Sequence, residues 1–446
     1  MVWKGLQPLS APTPYVETWY RRRLEAHEGE PAPRACLEGH EEAQVCVVGA
    51  GLAGLNVALE LARAGRSVVV LEARRVAWGA SGRNGGFVSP AWSAGHELVA
   101  ARAGAETAKA LHRLSIEGAD MVRENVETLA IDDAAPSPGL ISAARFEQTR
   151  ALEAQRDWLE REFAYPAEVW PRERVREVLR SDCYHQGLFK PKGFHLDPLA
   201  YSRGLAAELE RLGGRVFEGA PVEALERRGA AWRLTTPGGS LQAEHVVLAT
   251  GGYTEGVDRR LDRAFLPIAT YVMLTEADPE QIATAVSTPF AVGDQRRAGD
   301  YYRLVDDGRR LLWGGKITTR TDEPQRLAEL LRRTMVATYP QLEGLKVEIA
   351  WSGLMSYARH LMPQVGPVEP GLWCCTAFGG HGLNTTAIGG RVVAEAIVGA
   401  SDRWRLFRDF GLAWNGGIAG KAAVQATYWA LQAQDAWNER LSSRAA

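Results

Sequence analysis

The chain has 446 residues, of which 46% are hydrophobic, so it can form a compact globular protein with about two or three domains' worth of core. Its 52 Lys and Arg residues are dispersed and nearly balance 54 Asp and Glu residues, which excludes the basic surface that nucleic-acid binding requires. No apolar stretch approaches the roughly 18 residues of a membrane span, and the first ten residues lack the apolar core of a signal peptide. We therefore expect a cytoplasmic protein.

A proline-rich and charged arm, residues 1–40, is expected to carry one short helix around residues 15–26. The dinucleotide-binding pattern follows it, as a strand at 45–48, a glycine turn, a helix at 52–64 and a strand at 68–71. In the turn, Gly49 permits the bend, Gly51 lets the backbone approach a pyrophosphate, and Gly54 lets helix and strand pack closely. Glu72 ends the second strand, where it can accept from ribose hydroxyls and would repel the 2′-phosphate of NADP. The segment predicts a bound dinucleotide, either FAD or NAD.

The loop at residues 78–86, WGASGRNGG, contains glycines that exclude regular structure and permit the backbone to approach a flat ligand. Residues 96–182 are predicted to be mostly helical, with apolar residues at three- and four-residue spacing in 105–129 and 148–163. A short segment at 193–198 leads to a further helix at 199–212.

Strands are predicted in two groups. The first group lies at residues 215–217, 222–226, 232–235 and 246–250. The second lies at 268–274, 301–305 and 311–315, where Asp306, Asp307 and Gly308 mark a hairpin, and it indicates a separate antiparallel sheet. A helix at 324–339 and a strand ending near Trp351 follow.

A second glycine-rich turn lies near the end of the chain. A strand at 373–377 leads into FGGHGLNTTAIGG, which opens a helix that runs to about residue 398. Such a turn directs N–H groups and the positive end of a helix dipole at an acceptor, here the C2 carbonyl and N1 of a flavin. The segments that would contact one cofactor are far apart in the chain, so we expect interleaved domains.

These motifs resemble those of the D-amino-acid oxidase family of FAD-dependent oxidoreductases. The motifs that carry the resemblance are VVGAGLAG (47–54), VVLEA (69–73), WGASGRNGG (78–86), VVLATGGY (246–253), LLWGGK (311–316) and GGHGLN (379–384). The resemblance implies an α/β fold, in which a Rossmann-like FAD-binding domain of the GR2-type flavoproteins is interleaved with an antiparallel-sheet α+β substrate domain. The segments expected are 41–95, 193–267 and 348–400 for the FAD-binding domain, 96–192 and 268–347 for the substrate domain, and 401–446 for a C-terminal tail.

The resemblance also implies a reaction. Hydride passes from the carbon that bears an amine to flavin N5, the imine hydrolyses to an aldehyde or ketone, and O2 or another acceptor reoxidises the flavin, with H2O2 as the product from O2. We expect FAD without a covalent bond to the protein, while a tether through Cys374 or Cys375 is the open alternative. The five cysteines show no CxxC pair and no metal-ligand spacing, so no metal is expected.

Carried over residue by residue, the resemblance assigns the first βαβ unit and the 80–86 loop to the pyrophosphate, adenosine, ribityl chain and isoalloxazine, and the second glycine turn to the pyrimidine end. The residues are Gly49, Gly51, Gly54, Glu72, Ala73, Arg74, Ala80, Ser81, Arg83, Asn84, Gly85, Gly86, Val222, Gly251, Gly380, His381, Gly382, Leu383 and Asn384. The alternative to these cofactor roles is that Arg74 and Arg83 are ordinary surface residues and that His381 serves only packing.

One position departs from the family pattern. Amino-acid oxidases of the family usually carry an arginine after a Trp-x-Gly-Leu segment, where it grips the substrate carboxylate, and this chain has Met355 there. The uncharged thioether of Met355 cannot replace the planar guanidinium of an arginine, which pairs with a carboxylate through two hydrogen bonds. The sequence therefore favours a primary or secondary amine, with gamma-glutamylated amines among the candidates, over a free alpha-amino acid. The alternative is that Arg303 or Arg359 takes the role of the missing arginine.

Hydride transfer needs positioning, desolvation and a neutral amine more than a strong base. The residues expected beside the flavin are aromatic residues of the second strand group and two basic residues: Tyr271, Tyr301, Tyr302, Trp351, Lys316 and His381. Three other activities stay open, namely a glycine- or sarcosine-type amino-acid oxidase or dehydrogenase, a flavoprotein monooxygenase, and FAD binding without turnover.

Overall fold

The computed structural model describes residues 13–254, 256–296, 299–318 and 324–445. Its strands are β1 (Gly39–Val48), β2 (Val68–Leu71), β3 (Phe87–Val88), β4 (Ser137–Ala143), β5 (Glu168–Trp170), β6 (Gly187–His195), β7 (Arg215–Phe217), β8 (Ala224–Arg228), β9 (Ala231–Thr236), β10 (Gly239–Leu248), β11 (Phe265–Thr275), β12 (Ala291–Asp294), β13 (Tyr301–Val305), β14 (Arg310–Thr318), β15 (Val347–Ala358), β16 (Gln364–Glu369) and β17 (Leu372–Thr376). Its α-helices are α1 (Trp19–Glu28), α2 (Leu52–Arg63), α3 (His96–Ala103), α4 (Ala105–Thr128), α5 (Thr149–Phe163), α6 (Arg172–Val178), α7 (Pro198–Arg211), α8 (Arg259–Asp262), α9 (Pro279–Ala283), α10 (Pro324–Thr338), α11 (Gly382–Val398) and α12 (Gly417–Ala445).

The first sheet has a parallel core. Strands run in the order β16-β17-β10-β1-β2-β7, and the pairs from β17 to β7 are parallel, while β8 and β9 extend from β10 as an antiparallel hairpin. Helices α2 and α11 pack against each other, and α4 lies on α11. Glycines permit these contacts, since a Cβ on Gly390 would lie 2.7 Å from Val57 N and one on Gly118 would lie 2.1 Å from Asn384 O.

The second sheet is mostly antiparallel. Its order is β15-β11-β14-β13-β12-β4-β6-β3, β5 pairs with β6, and β12 and β4 form the parallel pair. The fold is therefore α/β with mixed sheets. Four strands of the second sheet reach into the segments expected for the FAD-binding domain: β3, the end of β6, the start of β11 and most of β15.

Several predicted elements coincide with those of the structure. Strands β2, β7 and β13 have the expected bounds, and the hairpin after β13 places Asp306 and Asp307 at φ of 55° and 52°. The expectation that residues 96–182 are mostly helical misses β4 and β5, and β6 was not predicted. Pro138 and Gly139 in β4, and Pro191 in β6, interrupt the alternation by which a strand is recognised.

The ends of the described chain pack differently. The N-terminal arm packs against the segment between β2 and β3, because the Tyr15 hydroxyl donates to Val76 O at 2.9 Å and the Tyr20 hydroxyl donates to Asn84 O at 2.7 Å. At the other end α12 leaves Ile418, Trp429 and Trp437 exposed. Among the described helices, none combines the length and the apolar composition that a bilayer crossing needs.

Candidate active site

A cavity of about 1430 Å³ lies between the two sheets. One end is lined by the turns after β1, β2 and β10, and the other by residues of β4, β6, β13 and β15. Pockets for one drug-sized ligand usually measure about 300–1,000 Å³. The cavity therefore has room for a dinucleotide and a second small molecule.

The turn after β1 and the start of α2 need glycine at two positions. Gly49 has a φ of 105°, and a Cβ there would lie 2.8 Å from Ala249 O. A Cβ on Gly54 would lie 1.9 Å from Gly49 O. These close approaches bring the N-terminus of α2 against the strand, where the positive end of its dipole faces the cavity.

Glu72 connects the ends of β1 and β2. Its carboxylate accepts from Ala50 N at 2.7 Å and from Arg74 N at 2.9 Å. Burial raises the pKa of Glu72, and these two backbone N–H groups act in the opposite direction. A carboxylate has about four acceptor positions, so two remain for the hydroxyls of a ribose.

The loop at 80–86 is fixed by polar contacts to its own backbone. Ser81 Oγ accepts from Leu52 N at 2.9 Å, and Asn84 Nδ2 donates to Ala80 O and Ser81 O at 3.1 and 2.9 Å. Gly86 N donates to Asn84 Oδ1 at 2.8 Å. The loop thus presents its backbone to the cavity in one defined conformation.

Two arginines lie on one indole ring beside this loop. The guanidinium carbons of Arg74 and Arg83 are 4.0 and 4.1 Å from the centre of the Trp78 ring. Arg83 donates to Trp78 O at 2.7 Å and to Ser352 O at 3.2 Å, and burial lowers its pKa. Within the described residues Arg83 Nη2 is buried and has no hydrogen-bond acceptor. A buried donor of this kind needs a partner, and an oxygen of a bound ligand would supply one.

The second glycine turn joins β17 to α11. Gly379 N donates to Ser356 O at 2.9 Å, and Gly380 N donates to Ser93 Oγ at 3.1 Å. A Cβ on Gly380 would lie 3.0 Å from the Tyr357 hydroxyl, which is itself 3.9 Å from Met355 Sδ. Burial raises the pKa of Tyr357 to about 12. Met355 and Tyr357 therefore form one uncharged wall next to this turn.

His381 precedes the first residue of α11 and lines the cavity. His381 is exposed, and it faces the cavity. Desolvation by nearby protein atoms, followed by the charge of Lys190, lowers the pKa of His381 below its usual value. The imidazole is therefore neutral at pH 7.

Most of the sequence-predicted cofactor residues line this cavity. They are Gly49, Gly51, Glu72, Ala73, Arg74, Ala80, Ser81, Arg83, Asn84, Gly85, Val222, Gly251, Gly380, His381, Gly382 and Leu383. Gly54, Gly86 and Asn384 lie behind the lining. Gly86 permits close packing, since a Cβ there would lie 2.0 Å from Leu196 O, and Asn384 Nδ2 donates to Ser115 O at 3.1 Å.

Three of the predicted aromatic residues do not line the cavity. Tyr271 and Tyr302 are buried in the core on the other face of the second sheet, where Tyr302 stacks on Trp313 with ring centres 4.3 Å apart. Trp351 is buried too, and its Nε1 donates to Arg83 O at 2.8 Å, so it supports the loop from behind. The backbone of Lys316 lies in β14, but its side chain is outside the described part of the structure.

The arginines considered as substitutes for a carboxylate grip are placed elsewhere. Arg303 is buried behind the cavity, where it donates to Gly85 O and Leu196 O at 2.8 and 3.0 Å. Arg359 is exposed on the surface. Neither is among the residues that line the cavity.

Sequence reasoning missed two features of the substrate end. Lys190, on β6, lines the cavity, and so does a group in which Arg296 pairs with Asp294 and with Asp300, the latter at 2.8 Å. Nothing local marks these residues, because the second sheet brings them to the cavity from strands far apart in the chain. In the described residues no group of three or more His, Cys, Asp or Glu side chains is arranged to hold a metal ion.

The geometry of the first end fits a dinucleotide. A turn without Cβ atoms at Gly49 and Gly51, the open N-terminus of α2, two remaining acceptor positions on Glu72 and the buried Nη2 of Arg83 meet at one cavity. The glycine turn and the N-terminus of α2 match the pyrophosphate of such a ligand, and Glu72 matches its ribose hydroxyls. The buried Nη2 of Arg83 matches a further polar atom of the ligand.

Comparisons with known proteins agree with this geometry. Residues 44–396 match the family model described as FAD dependent oxidoreductase, DAO. The chain is 33% identical to Gamma-glutamylputrescine oxidoreductase of Escherichia coli (strain K12) over 378 residues, which is 84% of this chain and 88% of the relative. It is 31% identical to "Probable oxidoreductase OrdL" of Haemophilus influenzae over 374 residues, 82% of this chain and 85% of the relative.

Solved structures share the fold. L-proline dehydrogenase from P. horikoshii superposes with a TM-score of 0.69 at 17% identity, over 84% of this chain and all of that one (100%). At that identity the similarity concerns the fold alone.

Proposed function

The chain belongs to the family of FAD-dependent oxidoreductases described as DAO, and from that premise we propose that it oxidises a primary or secondary amine, giving an imine that hydrolyses to an aldehyde or ketone. The observation that carries the proposal is the continuity of this cavity, in which the dinucleotide-fitting turns lead into a wall formed by Met355 and Tyr357. The similarity to a gamma-glutamylputrescine oxidoreductase supports an amine as substrate.

FAD, when bound, supplies the two-electron acceptor. On this proposal Gly49, Gly51 and the N-terminus of α2 hold its pyrophosphate, and Glu72 holds the adenosine ribose. The turn at residues 380–383 covers the pyrimidine end. The buried cysteine next to the cavity is a poor nucleophile, because burial raises the pKa of the Cys375 thiol far above its usual value. This supports a cofactor held without a covalent bond.

The substrate end of the cavity positions and desolvates an amine. Tyr301, Met355 and Tyr357 offer apolar and aromatic surface to a carbon chain. Beside this apolar wall an ammonium ion is disfavoured, so an amine bound there loses its proton more readily and its nitrogen lone pair becomes available. His381, neutral at pH 7, adds no positive charge that would repel an ammonium ion during entry.

An alpha-amino acid would find no arginine at Met355. The two arginines that could substitute for it do not reach the cavity: Arg303 lies behind the cavity, and Arg359 lies on the surface. A glycine- or sarcosine-type activity is therefore the alternative that the experiment must separate. The electron acceptor, O2 or another, and the cytoplasmic location stay predictions.

The test is an anaerobic screen of flavin reduction. The purified holoenzyme is mixed with putrescine, its gamma-glutamyl conjugate, simple alkylamines, glycine and sarcosine, and the flavin absorption near 450 nm is followed in a stopped-flow instrument. We expect amines without an adjacent carboxylate to bleach this band fastest. Reduction by alpha-amino acids alone would show that the substrate assignment is wrong.

A further inference from the structure

We infer that Lys190 binds a carboxylate of the substrate, and that the preferred substrates are amines whose carboxylate lies several bonds from the carbon that is oxidised. This inference rests on the proposed function, because it names the substrate class of the same cavity. It assigns a binding role to a residue that the cofactor geometry does not need.

Lys190 lies on β6 at the substrate end of the cavity. Its ammonium is 3.5 Å from Ser89 Oγ, and Ser142 and Gln155 are further polar residues of the same lining. Among the residues that the structure describes, no carboxylate approaches the Lys190 ammonium within salt-bridge distance. A half-buried ammonium thus faces the cavity with polar neighbours and without a counter-ion.

The neighbouring cation differs in this respect. Arg296 lines the same end of the cavity, but Asp294 and Asp300 neutralise it, and the side chains of both acids are almost fully buried. An added anion would have to compete with two carboxylates there. Lys190 offers an unshared positive charge, so a ligand carboxylate would bind at Lys190 in preference to Arg296.

The electrostatics around Lys190 point the same way. Burial lowers the pKa of Lys190 to about 8. The ammonium is therefore still charged at pH 7, although its desolvation is unfavourable in free energy. Its charge in turn contributes to the lowered pKa values of His112 and His381. A bound carboxylate would offset this unfavourable charge, which is how a site with an uncompensated cation gains affinity for an anion.

Lys190 and Met355 lie on different strands of the second sheet, β6 and β15, and both line the cavity. On the proposed function the substrate has no carboxylate next to the carbon that is oxidised, because Met355 offers no partner for one. A carboxylate held by Lys190 then belongs to a more distant part of the ligand, as in a gamma-glutamyl amine or another long amino acid.

The experiment compares Lys190→Gln with Lys192→Gln, an exposed lysine of the same strand. The probes are N2-acetyl-N5-butylglutamine and its alpha-carboxamide, which have no free amine to be oxidised and differ only in the carboxylate charge. Binding to the holoenzyme is measured from the change in flavin absorption. We expect the wild-type enzyme and Lys192→Gln to bind the acid more tightly than the amide, and Lys190→Gln to lose about ten- to hundredfold in affinity for the acid alone.

Other outcomes overturn the inference. Equal loss for acid and amide, or no loss for either, would show that Lys190 does not bind the carboxylate. A shifted flavin spectrum or a lower FAD content in Lys190→Gln without selective loss of the acid would assign Lys190 to the cofactor. Since the ligands are unreactive, this result is independent of the proposed function, which fails separately if no amine reduces the flavin of the wild-type enzyme. Lys190→Arg should restore binding of the acid in part.

Discussion

Arg303 Nε donates to the carbonyl oxygen of Gly85 at 2.8 Å, and this bond joins the second sheet to the loop that lies along the cavity. The same guanidinium donates to Leu196 O at 3.0 Å and to the Tyr20 hydroxyl at 3.2 Å. Arg303 is buried and lies outside the cavity lining. It therefore acts on a cofactor only by fixing the shape of the loop.

We predict that Arg303→Lys weakens FAD binding by about tenfold, because a lysine keeps the charge but cannot donate to three acceptors in the geometry of a guanidinium. The measurement is the quenching of FAD fluorescence as apoprotein is added. Arg309→Lys, on the exposed hairpin after β13, is the control and should bind FAD like the wild type. Unchanged affinity in Arg303→Lys would show that the loop needs no support from β13.

Tyr301 and Tyr302 are neighbours on β13 with opposite roles. Tyr301 lines the cavity, whereas the Tyr302 hydroxyl is within 3.0 Å of the Tyr184 hydroxyl and 2.6 Å of the Tyr339 hydroxyl in the core. We predict that Tyr302→Phe lowers the free energy of unfolding by about 1–3 kcal/mol and leaves kcat/KM unchanged, since buried hydroxyls lose their partner. Tyr301→Leu should raise KM with little effect on stability.

Denaturant unfolding and steady-state kinetics on the two variants check this pair. The assignment is contradicted if Tyr302→Phe alters KM while Tyr301→Leu alters only stability.

This pair also shows what the sequence could predict. Alternation in YYRLV identified the strand, and the glycine motifs identified both turns, because Gly49 and Gly54 are demanded by local geometry. Which face of β13 meets the cavity depends on what packs on the sheet, and adjacent residues always point to opposite faces. The sequence therefore points to Tyr302 as readily as to Tyr301. Lys190 could not be found at all, since its position beside the cavity results from the order of strands in the second sheet.

The partly buried His112 makes the stability of the folded chain depend on pH. Burial and the charges of Lys190 and His96 lower the pKa of His112 to about 4, so in the folded chain it stays neutral where an unfolded chain takes up a proton. The unfolded state then binds more protons below about pH 6.5, and the free energy of unfolding falls as the pH decreases towards 4. Above about pH 6.5 this contribution is constant.

The measurement is denaturant unfolding at pH 6.5 and pH 5. We predict that His112→Gln loses about 1–2 kcal/mol less than the wild type between these values. His40→Gln, which replaces a half-exposed histidine, should follow the wild type. Parallel losses in all three proteins would show that His112 is not responsible.

Replacing Met355 by arginine should change the substrate preference. An arginine at this position would place a guanidinium group, which can bind a carboxylate, beside Tyr357 and the second glycine turn. We predict that Met355→Arg raises the ratio of kcat/KM for sarcosine to that for an alkylamine by at least about tenfold, because a charge-assisted pair is gained with one substrate only. Met355→Gln is the control of similar size. An unchanged ratio in a folded, FAD-loaded Met355→Arg would contradict the role given to this wall.

The most direct test of the whole account is the stoichiometry of FAD binding by the purified chain. The cavity holds one set of dinucleotide-fitting turns, so titration of apoprotein with FAD should saturate at one FAD per chain, and acid precipitation should release all of the yellow cofactor into the supernatant. A chain that stays colourless and does not quench added FAD would contradict the assignment of this cavity.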